Sequence, residues 1–284
     1  MTKQEFQELV NKGTVLLDGA TGSNLMRAGM PRGVCTEQWI CENPEPLSEL
    51  QRAYKEAGSQ IVYAPTFSAN RISLTNHGLQ DKVKELNTRL IEISRKAVGT
   101  DCLVAGDLTT TGQQEVSYEE LLEAYKEQIE AQLAAGADLL VAETMLGETE
   151  HMAVLDAAAS LCDLPVMCTL TVESDGSLFF GGNIYDAARA LADMGADAVG
   201  INCSTGPDQL LAVAENLRKA IDIPLIIKPN AGMPIIDAQG CPVYSMNAGD
   251  FSLHMKKLVE AGADIVGGCC GTTPEYIRKL KELL

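Results

Sequence analysis

The sequence lacks long hydrophobic runs and an excess of basic residues, and each absence excludes a class of partner. Its longest apolar runs, such as residues 138–142 and 225–227, fall far short of the roughly 20 residues of a membrane-spanning helix. The 284 residues include 39 acidic and 22 basic side chains, a net charge of −17. Proteins that bind nucleic acid or anionic lipid carry basic surfaces instead. We therefore expect neither a membrane nor nucleic acid as a partner.

The N-terminus also lacks the apolar stretch of a secretory signal, because residues 1–8 are mostly polar. The nine cysteines are an odd number in a chain without a leader, which favours reduced thiols over a disulfide framework. Cys102, Cys162 and Cys168 have apolar neighbours and are expected to be small core residues. We expect a cytoplasmic protein in which some of the other thiols bind metal.

One β/α pattern recurs along the chain. Four segments place a helix-ending glycine before a run that is apolar on both faces, as in a buried parallel strand: residues 57–66, 135–144, 194–203 and 261–270. Four more strands are predicted at residues 15–18, 103–107, 166–170 and 225–228. With intervening helices, clearest over residues 118–135 and 249–261, the eight strands predict a single (β/α)8 TIM barrel with an N-terminal helix. A doubly wound open sheet is the alternative. No linker divides residues 1–284.

Polar or ligating residues stand at the C-terminal end of each predicted strand. In strand order they are Asp18, Thr66, Asp107, Glu143, Thr171, Asn202 with Cys203, Lys228 with Asn230, and Cys269 with Cys270. Active sites of (β/α)8 barrels lie at this end of the strands. The pattern therefore predicts one polar site at one mouth of the barrel.

Three thiols are predicted to converge at this mouth. Cys203 ends the sixth strand and Cys269 and Cys270 end the eighth, so a single strand separates them in a closed barrel. Gly267 and Gly268 allow the strand to unravel so that two adjacent cysteines face one ion. Three thiolates suit Zn²⁺ and leave a fourth position open, as in catalytic sites. From spacing alone, a vicinal disulfide or unrelated buried cysteines stay open.

Four motifs resemble the homocysteine S-methyltransferase family. They are Asp18-Gly-Ala-Thr-Gly-Ser23, Gly200-Ile-Asn-Cys-Ser204, Pro229-Asn-Ala-Gly232 and Gly267-Gly-Cys-Cys-Gly-Thr-Thr-Pro274. The likeness covers essentially the whole chain and is greatest to the homocysteine-binding barrel of the cobalamin-dependent methionine synthase branch. It implies that residues 1–284 are a homocysteine-binding domain and that Cys203, Cys269 and Cys270 hold zinc.

The resemblance also implies a substrate site beside the metal. Asp18 and Glu143 would lie next to the ammonium group of homocysteine, although from the residues alone a turn carboxylate and a structural acid stay open. The turn that includes Gly19 and Ala20 either presents N–H groups to the substrate carboxylate or is only a tight connection. Asn202 either touches the substrate or fixes the loop that carries the first cysteine.

Together these features imply a zinc-dependent methyltransferase that activates homocysteine as a zinc-bound thiolate and methylates it to methionine. None of the three histidines stands in an Asp-x-His-x-x-Gly cobalamin motif. We therefore expect methylcobalamin to arrive on a separate methylcorrinoid protein that docks over residues 27–46 and 230–242, both predicted to be loops.

Pro65 and residues 106–112 depart from the family pattern at the mouth. The alternatives are a small donor, namely S-methylmethionine, betaine or S-adenosylmethionine, a barrel excised from a longer protein, and a non-catalytic zinc or redox-thiol barrel.

Overall fold

The structure is a computed structural model that describes residues 1–113, 115–237 and 242–284. Strands and helices alternate along this part of the chain. The strands are β1 (Val15–Leu16), β2 (Ile61–Tyr63), β3 (Leu103–Leu108), β4 (Leu139–Met145), β5 (Val166–Leu170), β6 (Ala198–Cys203), β7 (Leu225–Pro229), β8 (Pro234–Ile236), β9 (Pro242–Tyr244) and β10 (Ile265–Val266). The α-helices are α1 (Lys3–Val10), α2 (Gly22–Arg27), α3 (Thr36–Glu42), α4 (Pro44–Ala57), α5 (Arg71–Thr75), α6 (Val83–Val98), α7 (Tyr118–Ala134), α8 (Glu148–Leu161), α9 (Ile184–Asp193), α10 (Leu211–Ala220), α11 (Ala248–Glu260) and α12 (Pro274–Leu283).

Eight parallel strands form a nearly closed barrel. Their order in the sheet is β1-β10-β7-β6-β5-β4-β3-β2. A parallel bridge between Leu17, directly after β1, and Ile61 of β2 joins the two ends of this order. Val15 pairs with Ile265, so the first and final barrel strands of the chain are neighbours. The (β/α)8 prediction is confirmed. The doubly wound alternative is wrong, because an open sheet would leave these strands as edges.

The N-terminal helix covers one end of the barrel. Thr2 and Glu5 form a capping box that satisfies N–H groups at the start of α1. Phe6 is fully buried and packs with interior barrel side chains such as Leu17 and Ile226. Because this packing fills the N-terminal end of the barrel, a ligand can approach from the opposite end, where the strands terminate.

The two clearest predicted helices, residues 118–135 and 249–261, agree with the bounds of α7 and α11 to within one residue. Each begins at a polar capping residue. Ser117 and Glu120 form a capping box at α7, and the side chain of Asn247 accepts a hydrogen bond from the N–H of Asp250 at α11. Cys102 and Cys168 are buried core residues, as expected, and Cys162 is half-buried against the core.

Two segments predicted to be loops contain regular structure. Residues 27–46 include α3 and the start of α4, because Ile40 and Leu47 are fully buried against residues of α6 such as Leu90. Within residues 230–242, β8 pairs with β9 in an antiparallel hairpin, and residues 238–241 lie outside the described part of the chain. In the described ranges, no helix has the length and hydrophobicity needed to cross a membrane.

Candidate active site

The C-terminal end of the barrel holds a cavity of about 760 Å³. Ligand pockets in proteins commonly have this size. The predicted site residues that line it are Asp18, Gly19, Ala20, Asp107, Glu143, Cys203, Lys228, Cys269 and Cys270. Four other strand-end residues, Thr66, Thr171, Asn202 and Asn230, are buried outside the lining. The structure therefore brings most of the predicted polar ends to one cavity.

The three predicted thiols meet at this cavity. Cys203 ends β6, Cys269 and Cys270 follow β10, and β7 lies between these strands. Their Sγ atoms all lie within 4.8 Å of one another, with 3.9 Å between those of Cys203 and Cys270. Sulfurs bound to one tetrahedral zinc at about 2.3 Å lie roughly 3.8 Å apart. In the described part of the chain, no other group of histidine, cysteine and acidic residues has metal-binding spacing.

Unusual backbone conformations place these thiols. Cys203 has a φ of 57°, in the left-handed region that few residues with side chains adopt. Gly271, directly after Cys270, has a φ of 84°. A Cβ atom at Gly267 would lie 2.7 Å from a carbonyl oxygen of the segment after β1. The chain thus leaves the regular strand before Cys269, as the glycines predicted.

Hydrogen bonding between the thiols favours a thiolate within the group. Bonds from Cys203, and then from Cys269, lower the pKa of the Cys270 thiol. Bonds with Cys269, and then with Cys270, raise the pKa of the Cys203 thiol. A soft anionic donor set of this kind matches the ligands that Zn²⁺ prefers.

A buried lysine and three buried acids line the cavity. Lys228, which is 3% exposed, places Nζ 3.5 Å from Asp18 Oδ1 and 3.9 Å from Glu143 Oε2. Nζ also lies 4.7 Å from the centroid of the Tyr63 ring, within cation–π range. Asp107 Oδ1 has no hydrogen-bond partner among the described residues. A cation bound here would lower the pKa of the three acids and favour their ionised forms, so the group suits a ligand that brings a positive charge.

Burial shifts the pKa values of these groups. It raises the pKa of Asp18 to about 6 and that of Glu143 to about 8, because desolvation of each carboxylate outweighs its attraction to Lys228. Burial and the charge of Glu143 raise the pKa of Asp107. Burial alone would lower the pKa of Lys228, but the charges of Glu143 and Asp18 raise it. Lys228 therefore stays positively charged at neutral pH.

The turn after β1 is fixed on both sides. Asp18 Oδ2 accepts a hydrogen bond from the backbone N–H of Tyr63 at 2.8 Å. A Cβ atom at Gly19 would lie 2.6 Å from a tyrosine hydroxyl, so only glycine fits there. The backbone N–H of Ala20 donates to Thr272 Oγ1 at 3.0 Å. This bond uses the amide of Ala20, and binding of a substrate carboxylate by the turn stays a prediction.

The side chain of Asn202 links the C-terminal ends of β4 and β6 by hydrogen bonds. It is fully buried, and its Oδ1 accepts a hydrogen bond from the N–H of Thr144 at 2.8 Å. Its Nδ2 donates to Thr144 Oγ1 at 2.7 Å and to Glu143 Oε2 at 3.3 Å. Thr144 has a φ of 59°, which these bonds stabilise. The contacts favour the second predicted role of Asn202, which is to position the residues around Cys203.

Lys228 was predicted to lie at the mouth but without a role, and Tyr244 was not predicted to be a site residue. For Lys228 a signal was present, since a lysine directly after the apolar strand residues 225–227 is buried only with a charged partner. For Tyr244 there was none. Its ring packs where a Cβ at Gly271 would lie, beside Cys270, because the hairpin folds back over the mouth.

A family model described as homocysteine S-methyltransferase matches residues 15–284. The chain belongs to the homocysteine S-methyltransferase family. The matched range includes the three thiols and the buried charges of the cavity. Methionine synthase from Mycobacterium leprae is 32% identical over 97% of this chain, and methionine synthase from Mycobacterium tuberculosis is 29% identical over the same share. The chain spans about a quarter of the length of these curated relatives, since it covers 25% of each.

Solved structures show the same fold. The homocysteine methyltransferase MmuM from Escherichia coli, in its metallated form, matches with a TM-score of 0.82 and 26% identity over 98% of this chain and 99% of MmuM. Its oxidized form matches with a TM-score of 0.80 and 27% identity over 95% of both chains. The carboxyl transferase domain of Rhizobium etli pyruvate carboxylase shares the fold alone, with 14% identity and a TM-score of 0.59.

Proposed function

We propose that this chain is a zinc-dependent methyltransferase that binds homocysteine as a zinc-bound thiolate and methylates it to methionine. The observation that carries the proposal is the convergence of three Sγ atoms within 4.8 Å at an open cavity. The match to a metallated homocysteine methyltransferase supports it. When bound, Zn²⁺ would supply the positive charge that removes the proton of the homocysteine thiol at neutral pH.

The chain's own residues would prepare the acceptor. Cys203, Cys269 and Cys270 would hold the metal and, as three anions, leave the acceptor sulfur enough electron density to attack a methyl group. Asp18 and Glu143 would face the ammonium group of homocysteine. Residues 1–284 would thus act as one homocysteine-binding domain.

We propose a methylcorrinoid carried by a separate protein as the methyl donor. The new S–CH3 bond forms as the donor–CH3 bond breaks, and the donor keeps the bonding electron pair. The methyl group must come within about 3–3.5 Å of the sulfur, so the donor has to enter the open mouth. The resemblance of Pro229-Asn-Ala-Gly232 to the cobalamin-dependent methionine synthase branch supports this donor. A small donor is the second candidate, because MmuM, a homocysteine methyltransferase, aligns over 99% of its own length with this single barrel.

A donor panel tests the proposal. The purified chain with zinc and homocysteine is given free methylcobalamin, a methylcorrinoid protein, S-methylmethionine, betaine or S-adenosylmethionine, and methionine is measured. We expect slow demethylation of free methylcobalamin, visible in its spectrum, and much faster transfer from the corrinoid protein. Methionine formed only from a small donor would overturn the corrinoid proposal and retain the acceptor chemistry.

A non-catalytic thiol barrel is the competing function. Zinc analysis and the release of protons when homocysteine is added separate the two, because a structural or redox site releases none on addition of this ligand.

We also propose a cytoplasmic location, since the eight cysteines that the structure describes are all free, as expected in a reducing compartment.

A further inference from the structure

The β8–β9 hairpin carries one aromatic side chain to the thiol site. Side chains alternate along a strand, so Pro242 and Tyr244 of β9 share one face and Val243 lies on the other. Pro242 and Tyr244 line the cavity, whereas Val243 is exposed outside the lining. Tyr244 pairs in register with Pro234, the first residue of β8. The tyrosine therefore stands at the base of the hairpin, where both strands join the barrel.

The base of the hairpin is fixed to the segment that carries Cys270. The backbone N–H of Ala231 donates to the carbonyl oxygen of Cys270 at 2.9 Å, and that of Met246 donates to the carbonyl oxygen of Ala231 at 3.2 Å. The hydroxyl of Tyr276, in α12, donates to the carbonyl oxygen of Met246 at 2.7 Å. Because these bonds hold both ends of the hairpin, they fix Tyr244 relative to the thiols.

Two contacts join Tyr244 to the thiol site. Its ring packs on Gly271, where an added Cβ atom would lie 2.4 Å from the ring carbon Cγ. Its hydroxyl forms a hydrogen bond with the Sγ atom of Cys270. A side chain at position 271 would push the ring away, so the glycine serves the tyrosine contact as well as the turn.

The phenol is a donor that persists when the thiols are ionised. Cys270 also forms hydrogen bonds with Cys203 and Cys269. Those bonds need a proton on one of the sulfurs, and a thiol that binds a metal ion loses its proton. A phenol keeps its proton at neutral pH, so Tyr244 can still donate to a Cys270 thiolate. Groups that hydrogen-bond to metal ligands orient those ligands and tune the metal.

We propose that Tyr244 is a positioning residue of the metal site, whose hydroxyl orients the Cys270 thiolate by a hydrogen bond and withdraws part of its negative charge. The inference rests on the proposed function, because it needs a metal ion held by three thiolates. With less charge on Cys270, the ion keeps more positive charge for the sulfur of the acceptor. The alternative is that the ring of Tyr244 only fills space over Gly271, in which case its hydroxyl has no effect on the metal.

Cobalt(II) in place of zinc tests the hydrogen bond without methyl transfer, through the absorption band in which an electron moves from sulfur to the metal. Tyr244→Phe removes the hydroxyl and keeps the ring. A thiolate that loses a hydrogen bond gives up an electron more readily, so the band should shift to longer wavelength. The d–d bands should keep the pattern of the wild type, because Tyr244 is not itself a ligand. Tyr118→Phe is the matched control, since the hydroxyl of Tyr118 donates to Asp156 outside the cavity.

Zinc affinity gives a second readout. Loss of a hydrogen bond to a metal ligand costs about ten- to 100-fold in metal affinity, so Tyr244→Phe should bind zinc that much more weakly in competition with a chromophoric chelator. Tyr244→Leu, which lacks both ring and hydroxyl, should shift the cobalt band in the same direction. Incorporation of 3-fluorotyrosine, whose hydroxyl is a stronger donor, needs no substitution and should shift the band to shorter wavelength. Circular dichroism establishes that each variant is folded.

The results separate the inference from the function on which it rests. If the wild type binds neither zinc nor cobalt, the proposed function fails at its metal site. If it binds both and Tyr244→Phe has the same band position and zinc affinity, the hydroxyl does not act on Cys270 and the inference is overturned. A changed d–d pattern in Tyr244→Phe would make the tyrosine a ligand and would also overturn it. Where a variant does not fold, the shift with 3-fluorotyrosine decides, and an unmoved band counts against the inference.

Discussion

Left-handed backbone, buried charge and free thiols occur together in the residues that end β4, β6 and β7. Thr144 and Cys203 have positive φ values, and Lys228 is buried among acids. Each feature is unfavourable in isolation, at about 1–3 kcal/mol for a strained backbone and several for an unpaired buried ion. Such features persist where the surrounding structure fixes them, and they cluster at functional sites. Asn202 supplies part of that fixation through its bonds to β4.

Replacing Cys269 by alanine should abolish tight zinc binding. Two remaining thiolates leave the ion underligated, because catalytic zinc sites use three protein ligands. Metal analysis after gel filtration should show one zinc per wild-type chain and little in Cys269→Ala. Cys102→Ala is the control, since Cys102 is buried in the core and should not affect zinc. Full zinc content in Cys269→Ala would contradict the three-thiolate site.

Glu143→Gln should weaken homocysteine binding and retain zinc. The substitution removes the carboxylate that we propose faces the ammonium group, and a bound ammonium would hold this carboxylate ionised by lowering its pKa. The amide oxygen of the variant can still accept the bond from Asn202. A charge-assisted contact is worth about 1.5–3 kcal/mol, or about ten- to 150-fold in affinity. Calorimetric titration measures the loss, with Glu45→Gln, at an exposed position of α4, as the control. Unchanged affinity would remove Glu143 from the substrate site.

At the level of the elements, β6 and β7 approach closely at Gly200, which has the least room for a Cβ atom of any glycine in the described part of the chain. A Cβ atom at Gly200 would lie 1.8 Å from the carbonyl oxygen of Ile226, its register partner in β7. The atoms that would clash with this Cβ belong to the backbone of Ile226, which cannot rotate aside as a flexible side chain can. This close approach sets where Cys203 stands relative to Lys228, since both follow in the same pair of strands.

Gly200→Ala should therefore destabilise the protein and displace the thiols. Overpacking of a dense interior costs about 1–3 kcal/mol or more in the free energy of unfolding. Urea unfolding measures this, and zinc content should fall as well because β6 carries Cys203. Gly22→Ala serves as the control, because a Cβ at Gly22 would contact nothing within 4 Å. Equal stability of the two variants would show that the strands can separate without penalty.

In the molecule as a whole, α1 fills one end of the barrel and the opposite end stays open above the buried charges. Several titratable groups lie below the surface, so the stability of the entire chain depends on pH. His151 is fully buried, with its ring nitrogens 3.3 Å from the carbonyl oxygens of Gly147 and Ala142. Burial lowers the pKa of His151 to about 4, more than these oxygens raise it.

His151 should make the wild type lose stability as the pH falls from about 6.5 to about 4. In this window the unfolded chain binds a proton at this residue and the native chain does not, so acid favours unfolding. The shift corresponds to about 3 kcal/mol. Denaturant unfolding of the wild type and His151→Gln should show different slopes against pH between 4 and 6.5 and parallel curves above pH 7. Parallel curves throughout would contradict the assignment.

The sequence by itself determined the barrel and the thiol set. Helix-ending glycines such as Gly136 and Gly195 directly precede apolar runs. This pattern is local in the sequence and does not depend on how the strands pack. The number and order of the barrel strands therefore followed from it. Cys203, Cys269 and Cys270 were placed together because strand order alone brings the ends of β6 and β10 to one mouth.

Only the tertiary structure decided what surrounds those thiols. The contacts of Lys228, Asn202 and Tyr244 depend on which side chains of separate strands and of the β8–β9 hairpin come within a few ångströms of one another. Residues 27–46 looked like a loop because their proline and glycine content outweighs a short helical pattern, and α3 forms there through burial of Ile40. Strand periodicity fixes which residues reach the mouth, whereas the contacts between them are set by long-range packing that no local pattern encodes.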